Sequence, residues 1–192
     1  MKRSLPFLLS ALLLGMAGPA AAEKADALKP IKIDCDECDA DGITGIVTVL
    51  GKVVIQRGTL KIEADRGRIE QSPEGYQRAV LVANAGRKVR FRQKGDGPGQ
   101  QWMEGEAERL EYDDRSGVVK LFSQARVRRT IDGRPSDEAE GAFISYDSHK
   151  ELFSVRNTST GDDQPGAGRG TIIIQPKRRL PPAPAIATTE TP

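Results

Sequence analysis

Cys35 and Cys38, spaced Cys-x-x-Cys, and His149, the one histidine in 192 residues, are the side chains whose types best suit redox, metal or nucleophilic chemistry. A thioredoxin-like site needs its cysteine pair to open a helix after a strand, in positive surroundings that lower the thiol pKa. Here the run is Asp34-Cys35-Asp36-Glu37-Cys38-Asp39, and its carboxylates disfavour a thiolate. Structural zinc takes four ligands, which one cysteine pair and a distant histidine do not supply. A disulfide suits an oxidising compartment. In an extended chain, however, an i to i+3 pair separates its Cα atoms by about 10 Å, beyond the roughly 7 Å that a bridge spans. Pairing therefore requires a turn at Asp36-Glu37, and free thiols are the alternative. His149 stands in Ser-His-Lys between two strand patterns and reads as a turn residue, because no motif sets a nucleophile or orienting acid beside it. The expectation is a chain with no catalytic residues, metal or cofactor.

Basic residues cluster in Arg87-Lys88-Val89-Arg90-Phe91-Arg92, at Arg126, Arg128, Arg129 and Arg134, and in Lys177-Arg178-Arg179. Basic and aromatic interleaving is a nucleic-acid cue. The chain nevertheless opens with Lys2 and Arg3, an apolar run from Leu5 to Ala17 and the small residues Ala20-Ala21-Ala22. That is the pattern of a cleavable signal peptide over 1–22, and an exported protein rarely meets nucleic acid. Cleavage lowers Lys plus Arg from 29 to 27 against 27 Asp plus Glu, so the net charge of +2 becomes zero. Strand alternation in the first cluster places Val89 and Phe91 inside with Arg90 and Arg92 outside. If that strand lies at the mouth of a groove, it presents apolar side chains within and cations at the rim, which makes Arg90 and Arg92 candidate phosphate ligands.

The elements that must position these residues are strands. In 46–69, Val47, Val49, Gly51, Val53 and Ile55 share one parity, Arg57-Gly58-Thr59 is a turn, and Leu60, Ile62 and Ala64 resume on a returning antiparallel strand. Further strand patterns cover 31–33, 79–83, 88–92, 101–112, 118–129, 138–146, 151–155 and 171–175, with an acidic stretch over 34–41. Short strands with 20 Gly, 12 Pro and 5% aromatic residues indicate an all-β domain with a Val, Ile and Leu core, spanning 23–177. A Pro, Ala and Thr tail over 178–192 is expected to be disordered.

The strand unit repeats. VTVLGKVVIQRG at 47–58 aligns without a gap on VKLFSQARVRRT at 119–130, and Ala64-Asp65, Gly105-Glu106 and Ala139-Glu140 are each followed, four residues after the acid, by Ile69, Leu110 or Ile144. Inward parity switches inside each copy of the second pattern: Ile62 and Ala64 are even but Ile69 is odd, whereas Met103 and Gly105 are odd but Leu110 and Tyr112 are even. A strand that switches faces needs a bulge or corner, so the copies read as V-shaped strands passing between two sheets.

PIKI at 30–33, GKVVIQRGTLKIEAD at 51–65 and GEAERLEYD at 105–113 together resemble the OstA-like family of periplasmic lipopolysaccharide transport proteins, over about Pro30 to Gln175. The resemblance implies a twisted β-jellyroll of stacked V-shaped antiparallel strands, open at both ends. It also implies lipopolysaccharide, through its lipid A, as cargo, an LptC-like inner-membrane partner and an LptD-like outer-membrane partner. Ile31, Ile33, Val53, Ile55, Ile62 and Phe91 lie on the apolar parity of their strands and are the expected lipid lining. Burying a methylene is worth roughly 0.8 kcal/mol, so exposing one twelve-carbon chain costs about 10 kcal/mol: a shuttle must cover its cargo completely or a bridge must be continuous, and the alternative is an interior that is simply a packed core, which periodicity does not separate from a lipid groove. The first and last strands of such an open fold are unpaired edges; TIIIQ at 171–175 carries no charge, and Ile172 and Ile174 are expected to support head-to-tail assembly. The rival readings are a self-assembling periplasmic adaptor without lipid and, third, a redox or metal protein using Cys35 and Cys38.

Overall fold

The computed structural model describes residues 26, 28–95, 99–150 and 152–175, and consists of twelve antiparallel strands. The expected signal peptide (1–22), the tail (178–192) and the Lys177-Arg178-Arg179 cluster lie outside the described residues. The strands are β1 (Lys32–Asp34), β2 (Glu37–Asp41), β3 (Ile46–Arg57), β4 (Leu60–Gln71), β5 (Gln77–Val82), β6 (Val89–Lys94), β7 (Gln101–Ala107), β8 (Arg109–Asp113), β9 (Val118–Ile131), β10 (Arg134–Asp147), β11 (Leu152–Arg156) and β12 (Thr171–Ile174).

Pairing sorts them into two arms joined along a row of corners. One arm runs β2-β3-β4-β5-β8-β9-β10-β11 and the other β1-β3-β4-β6-β7-β9-β10-β12, so β3, β4, β9 and β10 pass through both. Strands β1 with β2, β5 with β6, β7 with β8 and β11 with β12 are interrupted versions of the same V. The expected single strand over 101–112 is therefore two, broken at Glu108, whose amide donates to the Ser123 carbonyl at 3.2 Å. The acidic stretch at 34–41 is not merely a connection: residues 37–41 form β2, drawn into register by β3, with Cys38 opposite Val49 and Ala40 opposite Val47.

Two kinds of corner bend the long strands. In β3 the corner is Gly51-Lys52, with φ of 74° and 42°; in β9 it is Ser123-Gln124, with φ of 65° and 50°. Two left-handed residues turn the chain without changing which parity faces inward, and the two copies align position for position. Gly51 also lies against the edge V, because a Cβ there would overlap the Asp36 carboxylate. In β4 and β10 the bend instead involves one residue, Asp65 or Ala142, and parity switches: Ile62 and Ala64 are buried before Asp65 and Ile69 after it, while Ala139 is buried before Ala142 and Ile144 and Tyr146 after it. Asp65 is itself buried, and its carboxylate accepts the Asn84 amide at 2.7 Å and meets Arg87 at 2.8 Å. Glu106 and Glu140, aligned with Asp65 by sequence, do not occupy corners. They lie on outward positions two residues earlier, so the second repeat is out of step with the bends by two residues.

Between the arms, inward residues form rows that cross every strand. One row reads Ile33, Ile55, Ile62, Phe91, Gly105, Val127, Ala139, Ile172; the facing one reads Cys38, Val49, Gly67, Leu81, Leu110, Leu121, Ile144, Val155. Glycine recurs where a neighbour is large: a Cβ at Gly105 would overlap the Phe91 ring, and one at Gly67 the Leu81 side chain.

Candidate functional site

Four of the six expected lining residues, Val53, Ile55, Ile62 and Phe91, are buried in the main apolar cluster, and Ile31 and Ile33 are half-buried against it. All six belong to the same arm and face the interior. That interior is filled by side chains through its middle. Toward β12 it opens: Ile172 and Ile174 continue the inward rows but are 55% and 73% exposed, beside an opening of about 300 Å³. Strand β12 pairs with β10 and β1 with β3, so the two expected edges stand at opposite ends of this arm.

The tips of the two arms meet as well. Arg57, at the end of β3 in one arm, donates to Asp114, just beyond β8 in the other, at 3.1 Å, and their side chains are only 14% and 11% exposed. Further along, the guanidinium of Arg129 on β9 lies 5.9 Å from the Phe153 ring across the interior.

Arg90 and Arg92, the candidate phosphate ligands, lie mid-sheet and not at a groove mouth. Strand β6 sits between β4 and β7, away from both edges, and its arginines point to the outer face. There Arg90 meets Glu106 at 3.7 Å, while Arg92 meets Glu104 at 3.3 Å and lies 4.0 Å over the Trp102 ring. Register extends these pairs into two ladders: Glu63-Arg90-Glu106-Arg126-Glu140 alternates in charge throughout, and Lys61-Arg92-Glu104-Arg128-Glu138 alternates from Arg92 onward, its first rung setting Lys61 against Arg92. A side-chain hydrogen bond to Glu138 raises the Arg126 pKa further above its ordinary value, so that rung stays charged. Each exposed pair contributes little to stability, yet together they engage the cations that the sequence offered for phosphate. The inward arginines, Arg57 and Arg129, were missed; continuing the alternation from Val127 by one step would have placed Arg129 inside.

Cys35 and Cys38 are paired in a disulfide, with Cα atoms 5.9 Å apart. The turn that permits this is the corner of the edge V, where the Asp36 amide donates to the Gly51 carbonyl at 2.9 Å. His149 lies in the exposed turn between β10 and β11. Among the described residues no group of three or more His, Cys, Asp or Glu could hold a metal ion, and no helix is long and apolar enough to cross a membrane.

Rows of apolar residues held between the two arms of a bent antiparallel sheet, with β1 and β12 as edge strands at opposite ends among the described residues, match a known architecture. The family model described as LptA/(LptD N-terminal domain) LPS transport protein matches residues 32–152. The chain belongs to this family. Among its relatives, the lipopolysaccharide export system protein LptA of Escherichia coli K12 is 31% identical over 153 residues, covering 80% of each chain. The protein of the same name from Haemophilus influenzae is 25% identical over 159 residues, covering 83% of this chain and 84% of its own. The crystal structure of LptH from Pseudomonas aeruginosa, titled the LptA homologous periplasmic component of the lipopolysaccharide transport device, superposes with a TM-score of 0.64 at 23% identity. It covers 79% of this chain and 99% of its own, which establishes the shared fold. OstA-like membership and the all-β jellyroll expected from the sequence both hold.

Proposed function

We propose that this chain carries lipopolysaccharide across the periplasm, with acyl chains between the two arms. Besides the family, the supporting observation is the inward row that runs unbroken from Ile33 at one edge to Ile172 at the other, with no charged residue in it. An acyl chain that parts the packed side chains along that row would stay out of water from edge to edge, and each methylene kept buried is worth roughly 0.8 kcal/mol. The charged outer ladders keep the other face of this arm wet.

In this reading a signal peptide over 1–22 directs export and is cleaved off before Glu23. It receives lipid from an LptC-like inner-membrane partner, assembles head to tail through β1 and β12, and delivers to an LptD-like outer-membrane partner. The free backbone groups of both edges can each take a further strand in the same antiparallel sense.

A photoreactive residue at Phe91 or Ile33 should crosslink to lipopolysaccharide, and one at the outward Arg90 should not. Ile33→Glu should fold and bind lipid more weakly, since its carboxylate would be desolvated beside acyl chains. Equal crosslinking from inside and outside positions, or unchanged binding by Ile33→Glu, would reject the interior as the lipid path. Intact assembly without any lipid crosslink would favour the adaptor reading.

A further inference from the structure

Arg129 is the cation that the interior presents at its open end. On β9, Arg126 and Arg128 point outward into the charged ladders, while Val127 and Arg129 take the inward parity. The Arg129 side chain is 19% exposed, and its carboxylate partner, Asp137 on β10, stands at 3.5 Å. That exceeds the ~2.7–2.9 Å of a close charge-assisted hydrogen bond. Around the pair, Val127, Ala139, Phe153, Ile172 and Ile174 line the opening of about 300 Å³, together with Glu138, whose carboxylate is engaged by Arg126. A cation is therefore held at the boundary between an apolar slot and water, tied loosely to one carboxylate.

We propose that Arg129 binds the phosphate of an acylated phospho-glycolipid at this mouth, with an acyl chain lying on Ile172 and Phe153 and Asp137 holding the guanidinium until the anion arrives. This rests on the lipid-carrier reading and adds which group recognises the head. A guanidinium offers a planar fork that matches phosphate oxygens two at a time. Partial burial raises the worth of that contact, because water competes less for both groups. Arg90 and Arg92, mid-sheet and outward, cannot reach a head group whose chains lie inside. Asp137 is the built-in competitor: phosphate must displace it, which lets lipid leave as well as enter.

The test uses the full mature chain and three probes: lipid A, lipid A stripped of its phosphates, and inorganic phosphate. Wild type should bind lipid A more tightly than the stripped form. Arg129→Gln should lose about tenfold in affinity for lipid A, as expected for removing a hydrogen bond to a charged group, and keep its affinity for the stripped form. Arg129→Lys, which keeps the charge without the fork, should fall between, and Asp137→Asn should bind lipid A more tightly. Arg90→Gln with Arg92→Gln should change neither, and circular dichroism melting checks that each variant folds. Unchanged lipid A binding by Arg129→Gln, or an equal loss for both lipids, would overturn the assignment. So would inorganic phosphate that binds at Arg129 as tightly as lipid A does, which would mark a free-anion site. Failure of the wild type to bind either lipid would reject the carrier reading itself, a result distinct from loss of phosphate selectivity.

Discussion

Deleting residues 171–192 removes β12 and should cost almost no stability while abolishing assembly. Strand β12 meets β10 in four register pairs, and its Ile172, Ile173 and Ile174 remain 55%, 47% and 73% exposed. Fully burying an isoleucine is worth about 1.5–3 kcal/mol, so three that are roughly half buried contribute about 3 kcal/mol. The ladder adds about 1 kcal/mol net per hydrogen bond, or about 4 kcal/mol over the strand. Ordering four residues costs about 1.5 kcal/mol each, close to 6 kcal/mol. The balance lies within about 1–2 kcal/mol of zero, which for a chain of this size is a melting shift of a few degrees. The truncated chain should thus keep its β-sheet circular dichroism and melt within about 5 °C of the full chain. It should also stay monomeric over a concentration series in light scattering while the full chain grows. Loss of the β signal would show that β12 completes the core, and undiminished self-association would show that assembly uses another surface.

Three further outcomes follow from particular contacts. Gly105→Ala should destabilise by about 1–3 kcal/mol in urea titration, because the added methyl overlaps the Phe91 ring, and Phe91→Leu in the same chain should recover part of the loss. Ser123→Gly should raise stability by about 0.5–1 kcal/mol, since a left-handed φ of 65° strains any residue with a Cβ; an unchanged or lower midpoint would mean that the serine side chain itself holds the corner. Cys35→Ser with Cys38→Ser closes no loop, and over four residues the loss is at most about 2 kcal/mol. Thermal melts with and without reductant should therefore differ modestly for the wild type and not at all for the double variant, with lipid binding retained by both.

Period-2 alternation with a change of parity was enough to determine bent strands, because a strand with one buried face cannot switch parity unless its backbone turns. The corner shared by 47–58 and 119–130 was not legible, because its two left-handed residues leave inward parity unchanged; the gapless alignment showed only that the two segments repeat. The inner positions of Val53, Ile55, Ile62 and Phe91 were legible from the alternation itself. What a period of two leaves open is position along the strand and rank across the sheet. Glu106 and Glu140 therefore aligned with Asp65 although of the three only Asp65 occupies a corner, and Arg90 and Arg92 were read as outward, as they are, but at a groove mouth, whereas β6 lies between β4 and β7. Neighbours distant in sequence made the remaining decisions. Val47 and Val49 drew the acidic 37–41 into an edge strand, Asp114 met Arg57 across 57 residues of chain, and the end of the apolar rows at Ile172 left Arg129 beside the opening. Each depends on which strands become adjacent, and pairing energies between distant segments exist only once the chain has folded.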